Sequence, residues 1–269
     1  MYQTVYLETL ESVLQIIAEQ EYSDNKKRHR STFIYRGLSK SSFNLSTSLQ
    51  RNCKHLYKKL ESSILRNFTK YAVSEDPSLH RSVWKQMILG QHHGLPTRLL
   101  DWTYSPLTAM HFATTTNNLD KMDKYDCVIW KIDIEEIHKL LPVKYRYALG
   151  EENAGIFTVE MLQKIAPDTE SYDRDMNGSA MVIIEPPSID PRIINQYSYF
   201  SVIPNNMEDI EAFLAENTSG TVKYVIKKEL RWRIRDMLDQ LNINERIVYP
   251  GLDGLTQWLT RHYYVKDEE

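Results

Sequence analysis

Cysteine is nearly missing from this chain: Cys53 and Cys127 are the only two in 269 residues, and neither lies in a CxxC pair. That excludes a disulfide scaffold, a zinc knuckle and a thiol redox motif. Glycine is scarce too, at nine, and no GxGxxG or GxxxxGK[ST] occurs, which removes the Rossmann and P-loop nucleotide classes. No GxSxG turn marks a serine hydrolase. Apolar runs stay far below the roughly 18 residues of a membrane span, and MYQTVYLETLESVL has neither the basic end nor the apolar stretch of a signal peptide. A cytoplasmic protein with no membrane partner is therefore expected. A net charge of −3 offers no global pull on polyanions. The basic stretches KKRHR (26–30) and KKELRWRIR (227–235) read first as solvated faces and second as phosphate contacts.

Tyrosine, by contrast, is abundant at 17, and its amphipathic ring suits ligand walls, interfaces and half-buried core alike. Apolar spacing predicts an N-terminal helix through Leu7, Leu10, Leu14 and Ile17 to about Tyr22, a strand TFIYRG over 32–37, and a helix over 51–73. Asp76-Pro77 predicts the start of another helix, ending at Gly90 or Gly94, and Ser105-Pro106 predicts the next. CVIWKIDI, AMVIIEPP and TVKYVIK read as strands, and INQYSYFSVI alternates tolerably. Helices are expected near 134–141 and 157–165 and in LRWRIRDMLDQL and GLDGLTQWLTRHY, and 168–179 reads as a polar surface loop. Helices around short strands in irregular order predict an α+β fold. Its organisation reads as an N-terminal helix and basic loop over 1–31 and one domain over 32–265.

The chemistry concentrates in two places. One is IYRG, where Arg36 ends a strand and can present its planar fork to a phosphate or carboxylate, with Gly37 leaving room for a ligand. A structural pairing of Arg36, with Asp101 as the candidate acid, is an equal alternative. The other is QHHGLPTRLLDWT over 91–103. Its adjacent His92 and His93 do not share a helical face, so a zinc site built on both is not expected. Arg98 and Asp101 could also be a structural pair joining two helices.

IYRG, QHHGLPTRLLDWTYSPLTAMHFA and RIVYPGLDGL together resemble the FRG-domain family, named for its (F/Y)RG motif, over 32–259. Members occur in bacteria, often in mobile and phage-defence settings. The same residues also resemble, more distantly, mono-ADP-ribosyltransferases of the Arg-Ser-Glu type. That resemblance implies an ADP-ribosyltransferase-like core and NAD as cofactor. It implies that Arg36 binds the pyrophosphate or nicotinamide ribose with Tyr35 and Gly37 beside it. Asp101 and Thr103 would fix the ribose, and Trp102 or a tyrosine would stack on nicotinamide. His92, His93 and Thr97 would line the remainder of the cofactor site. The third motif departs from the pattern, because RIINQYSYFSV offers Gln196 where a catalytic Glu is expected, which leaves Glu185 or Asp253 as candidate acids. The implied activity is a toxin that uses NAD to modify RNA, DNA or protein in a toxin–antitoxin or anti-phage system. The alternatives are a non-catalytic nucleotide or phage-component recognition module and an NAD glycohydrolase. A toxin implies a neutralising protein partner, with the stretch from Tyr197 to Phe200 as a candidate interface.

Overall fold

The computed structural model describes residues 1–188 and 190–266. Its strands are β1 (Gln3–Leu7), β2 (Tyr22–Ser23), β3 (Arg28–His29), β4 (Phe33–Leu38), β5 (Leu99–Thr103), β6 (Cys127–Asp133), β7 (Phe157–Thr158), β8 (Val182–Glu185), β9 (Ser198–Val202) and β10 (Val222–Ile226). The helices are α1 (Leu10–Gln15), α2 (Ser48–Cys53), α3 (Tyr57–Ala72), α4 (Val83–His92), α5 (Pro106–Thr114), α6 (Ile134–Lys139), α7 (Val143–Glu151), α8 (Val159–Ile165), α9 (Thr169–Met176), α10 (Pro191–Asn195), α11 (Ile210–Asn217), α12 (Arg231–Gln240), α13 (Glu245–Val248) and α14 (Leu252–His262). Eight strands form one mixed sheet in the order β1-β10-β6-β4-β5-β9-β8-β7, while β2 and β3 form a separate hairpin. Helices cover the sheet, so the fold is α+β.

β6 is the sheet's most buried strand, and its unbroken run CVIWKI is what a strand covered on both faces requires. The sheet is weakest at its middle. β4 and β6 pair residue by residue from Phe33↔Asp133 to Leu38↔Val128, whereas β4 meets β5 only at Tyr35↔Thr103. Beyond that pair no further β4–β5 pairing follows, and Arg36 stands beside this seam.

Several elements differ from the expectation, each for a local reason. Thr9 caps α1 in a reciprocal capping box with Ser12, so the first helix starts at Leu10 and QTVYL is free to pair with β10. The expected helix over 51–73 is divided, because Thr47 and Gln50 box the start of α2 and Lys54 adopts a positive φ of 48°. Asp76 caps only a 3-10 turn; Ser82 caps α4. The expected loop over 168–179 contains α9, whose polar sequence hides Tyr172 and Met176 four residues apart on one buried face. Helix α11 and the separate helix α7 were not foreseen.

Two buried histidines make the fold acid-sensitive. His138 Nδ1 donates to Gly155 O (3.2 Å) while its Nε2 accepts from Ile183 N–H (3.0 Å); His111 Nδ1 accepts from Arg235 Nη1 (2.8 Å). Burial first, and for His111 the charge of Arg235 as well, pulls their pKa values down to about 4 and about 3. Each stays neutral when folded and gains a proton only on unfolding. Their stabilisation is therefore complete above the ordinary histidine pKa of about 6.5 and is lost at about 1.4 kcal/mol per pH unit per residue as pH falls toward the folded values. Urea midpoints measured from pH 7 to pH 4 should decline, and His138→Gln should flatten that decline by one histidine's share.

Candidate functional site

Arg36 stands on β4 one residue past the seam's single pairing. Its Nη1 donates to the backbone O of Asp101 at 2.6 Å and to Asp101 Oδ2 at 3.3 Å, so a side chain occupies the place of the missing ladder bond. Burial lowers the Arg36 pKa from its ordinary value; Asp101 opposes this, and the like charge of Arg51 adds to it. The Nε of Arg36 is buried without a partner among the described residues, as is the hydroxyl of Tyr35.

Asp101 is itself positioned from α4. Gln91 Nε2 donates to both its carboxylate oxygens at 3.1 Å, and Thr97 Oγ1 donates to Gln91 Oε1 at 2.7 Å, which sets the orientation of the amide. Thr97 Oγ1 also accepts from the N–H of Leu99 (3.1 Å), tying the turn after α4 to the start of β5. The polar stretch before β5 thus carries a relay that aims one carboxylate at one arginine.

Around this pair lies a cavity of about 310 Å³, lined by Tyr35, Arg36, Gly37, Gln91, His92, Asp101, Trp102, Thr103, Phe112, Arg192, Gln196 and Tyr249, among others. The structure therefore gathers eight of the residues expected from sequence: Tyr35, Arg36, Gly37, His92, Asp101, Trp102, Thr103 and Gln196. His93 is exposed and outside the cavity, packed edge-on against His92, and Thr97 acts from behind Gln91.

The structure revises several roles. Trp102 is buried and donates its indole N–H to Ser201 Oγ at 3.0 Å, so its ring belongs to the core, and Phe112 and Tyr249 form the half-buried aromatic wall. Thr103 Oγ1 donates to the backbone O of Gln196 (2.6 Å) and accepts from Ser105 N–H (3.1 Å), both of which are structural bonds. Gln196 Nε2 is held by Val248 O at 3.0 Å. Gly37 makes room for protein: a Cβ there would lie 2.0 Å from Ala109 O and 2.5 Å from Ala113 N of α5. Neither Glu185 nor Asp253 lines the cavity, where Asp101 is the one carboxylate among the described residues.

Outside the cavity, Arg98 pairs with Glu61 and Asp173 instead of Asp101. In the basic stretch 227–235, Arg231 and Arg235 are buried, which leaves no continuous cationic face there. Of the proposed tyrosine-rich interface only Tyr197 is well exposed, since Phe200 is core.

Gln91, Phe112, Arg192 and Tyr249 also line the cavity and were given no role by the sequence motifs. His92 Nε2 lies 2.9 Å from Asp190 Oδ2, and Asp190 Oδ1 caps α10 by accepting the N–H of Arg192 (2.7 Å). The guanidinium of Arg192 rests 5.6 Å from the Tyr249 ring centre and makes no ion pair among the described residues. Tyr249 reaches the site because α13 is clamped to α14 at Gly254, where a Cβ would sit 1.8 Å from Tyr249 O. RIVYPGLDGL was the available signal for Tyr249, but only the fold shows that the motif delivers its tyrosine to the arginine.

Residues 31–122 match the FRG domain, a span that contains IYRG, QHHGLPTRLLDWT and α5 and ends before β6. No curated protein and no solved structure matches the chain. No helix among the described residues is long and apolar enough to cross a membrane.

Proposed function

We propose that the seam cavity binds the nicotinamide–ribose–phosphate portion of NAD and that the protein transfers ADP-ribose to a macromolecule, acting as a toxin in a toxin–antitoxin or anti-phage system. The observation that carries this reading is the pair of guanidinium groups, Arg36 and Arg192, facing one cavity walled by two aromatic rings, with the buried Arg36 Nε unpartnered. That donor set suits phosphate oxygens beside a flat heterocycle. NAD would supply an ADP-ribosyl group: the bond from ribose to nicotinamide breaks with its electron pair leaving on nicotinamide, while an acceptor nucleophile bonds to the same carbon and gives up its proton.

In this reading Arg36 and Arg192 hold phosphate, and Tyr249 and Phe112 flank the ring. Asp101 supplies the negative charge that favours an oxocarbenium-like transition state. Gln91 and Thr97 keep that carboxylate aimed, and Gln196, a neutral amide, orients a hydroxyl. An acid within reach at Asp101 removes the need for a glutamate in the third motif. A toxic activity would require a neutralising protein partner.

A second reading, a nucleotide-recognition module without turnover, is favoured by one feature: Asp101 is already partly neutralised by Arg36. Incubation with adenylate-labelled NAD separates the two. Label retained on RNA, DNA or protein and lost in Arg36→Ala supports transfer, and free ADP-ribose alone points to hydrolysis. Bound but intact NAD supports recognition, and full NAD affinity in Arg36→Ala removes the assignment.

A further inference from the structure

We propose that the open groove adjoining the cavity is the seat of a single-stranded polynucleotide, the acceptor that the transferase reading above requires. The groove, about 870 Å³, shares Arg36, Gly37 and Phe112 with the cavity, so anything lying in it reaches the reacting end of the site. Its wall carries Lys40, Arg51 and Lys121 and includes no carboxylate. None of these three cations is in an ion pair among the described residues, unlike Lys58, Lys131 and Lys266. The acids of the adjoining 119–126 segment are engaged elsewhere: Asp120 by Tyr264 (2.7 Å), Asp123 by Lys266 (2.6 Å) and Asp126 by Lys227 (3.8 Å).

Position separates this ligand from NAD itself. A pyrophosphate in the cavity meets Arg192 and Arg36, the latter already paired with Asp101, whereas Lys40, Arg51 and Lys121 line the groove and lie outside the cavity lining. Arg51 lies close enough that its charge disfavours that of Arg36, a repulsion a second anion would relieve. Two rings are exposed on the same wall, Phe43 and Tyr125, and Lys40 Nζ lies between them at 5.3 Å and 4.4 Å from their centres. Cations beside exposed aromatic rings suit a single strand, whose phosphates need charge and whose bases need a surface to stack on once Lys40 turns from the rings to a phosphate. An acidic protein would use the cations and leave the rings idle.

The test measures fluorescence anisotropy of labelled single strands of about 12 nucleotides, a length within the usual range of site sizes, with DNA and RNA in separate arms and no NAD present. We expect binding whose salt dependence has a log–log slope of about −2, three contacts at about 0.7 each. Lys40→Glu, Arg51→Glu and Lys121→Glu together should lower affinity at least about tenfold and flatten the slope. The charge-matched triple Lys26→Glu, Arg28→Glu and Arg30→Glu, on the β2–β3 hairpin, should leave both nearly unchanged. Absence of strand binding, or equal loss in the hairpin triple, overturns the proposal. Circular dichroism checks the triple variants. If the groove triple fails to fold, Lys121→Glu alone, on an exposed side chain, should reduce the slope by about 0.7, and an unchanged slope again overturns it. A protein that binds strands but not NAD sinks the cavity reading alone; one that binds NAD but no strand sinks this one alone.

Discussion

Arg98→Met is expected to lower stability by about 3–5 kcal/mol, the usual cost of removing one partner from a buried ionic cluster. Arg98 is almost wholly enclosed. Its Nε donates to Glu61 Oε1 at 2.7 Å, its Nη2 to Glu61 Oε2, and its Nη1 to Asp173 Oδ1 at 2.6 Å. Burial opposes the charge on Arg98, and the two carboxylates outweigh burial and raise its pKa above the ordinary value. Methionine fills most of the space and leaves Glu61, itself buried, with a charge and no counter-ion. Against the roughly 5–15 kcal/mol that holds a typical domain together, this loss is about a fifth or more. Urea denaturation should show a lower midpoint at unchanged slope. Removing all three charges as Arg98→Met, Glu61→Leu and Asp173→Leu should recover much of the loss, because no buried charge is then unpaired. Similar stability of the single and triple variants would mean that the ions matter less than the shape of the site.

Gly37→Ala should be almost as damaging and, on the proposed function, should also abolish NAD binding. The added methyl meets Ala109 O and Ala113 N, backbone atoms of α5, at distances no real contact adopts. No flexible side chain can yield, so the helix must move. Its far side is held by Arg235 on His111 and by Arg231, which donates to Ala113 O at 3.5 Å and Thr115 O at 3.4 Å. A loss of about 3 kcal/mol is expected from overpacking of this kind, and displacement of α5 carries Phe112 out of the cavity wall. Thermal unfolding with NAD titration checks both halves. Normal stability with lost binding would return Gly37 to a ligand-contact role.

Much of this was legible in the chain because it depends on neighbours in sequence. The β6 run and the Ser105-Pro106 start of α5 are local signals, and the structure realises them. The α9 segment reads as a loop because six polar residues conceal one apolar pair whose burial decides its state. The split of the expected 51–73 helix was equally hidden, since a positive φ at Lys54 is not written in its side chain.

By itself the sequence determined the α+β class, the match of residues 31–122 to the FRG domain, and the choice of Arg36 and Asp101 as candidate site residues. Those properties follow from periodicity, capping and short motifs, whose physics extends over a few residues. Only the tertiary structure decided which acid faces which arginine: Asp101 goes to Arg36, and Arg98 goes to Glu61 and Asp173. It also brought Arg192 and Tyr249 to the seam from more than 150 residues beyond Arg36. Pairing partners across a sheet are set by register and by how closely helices approach it, and both depend on the whole chain having packed.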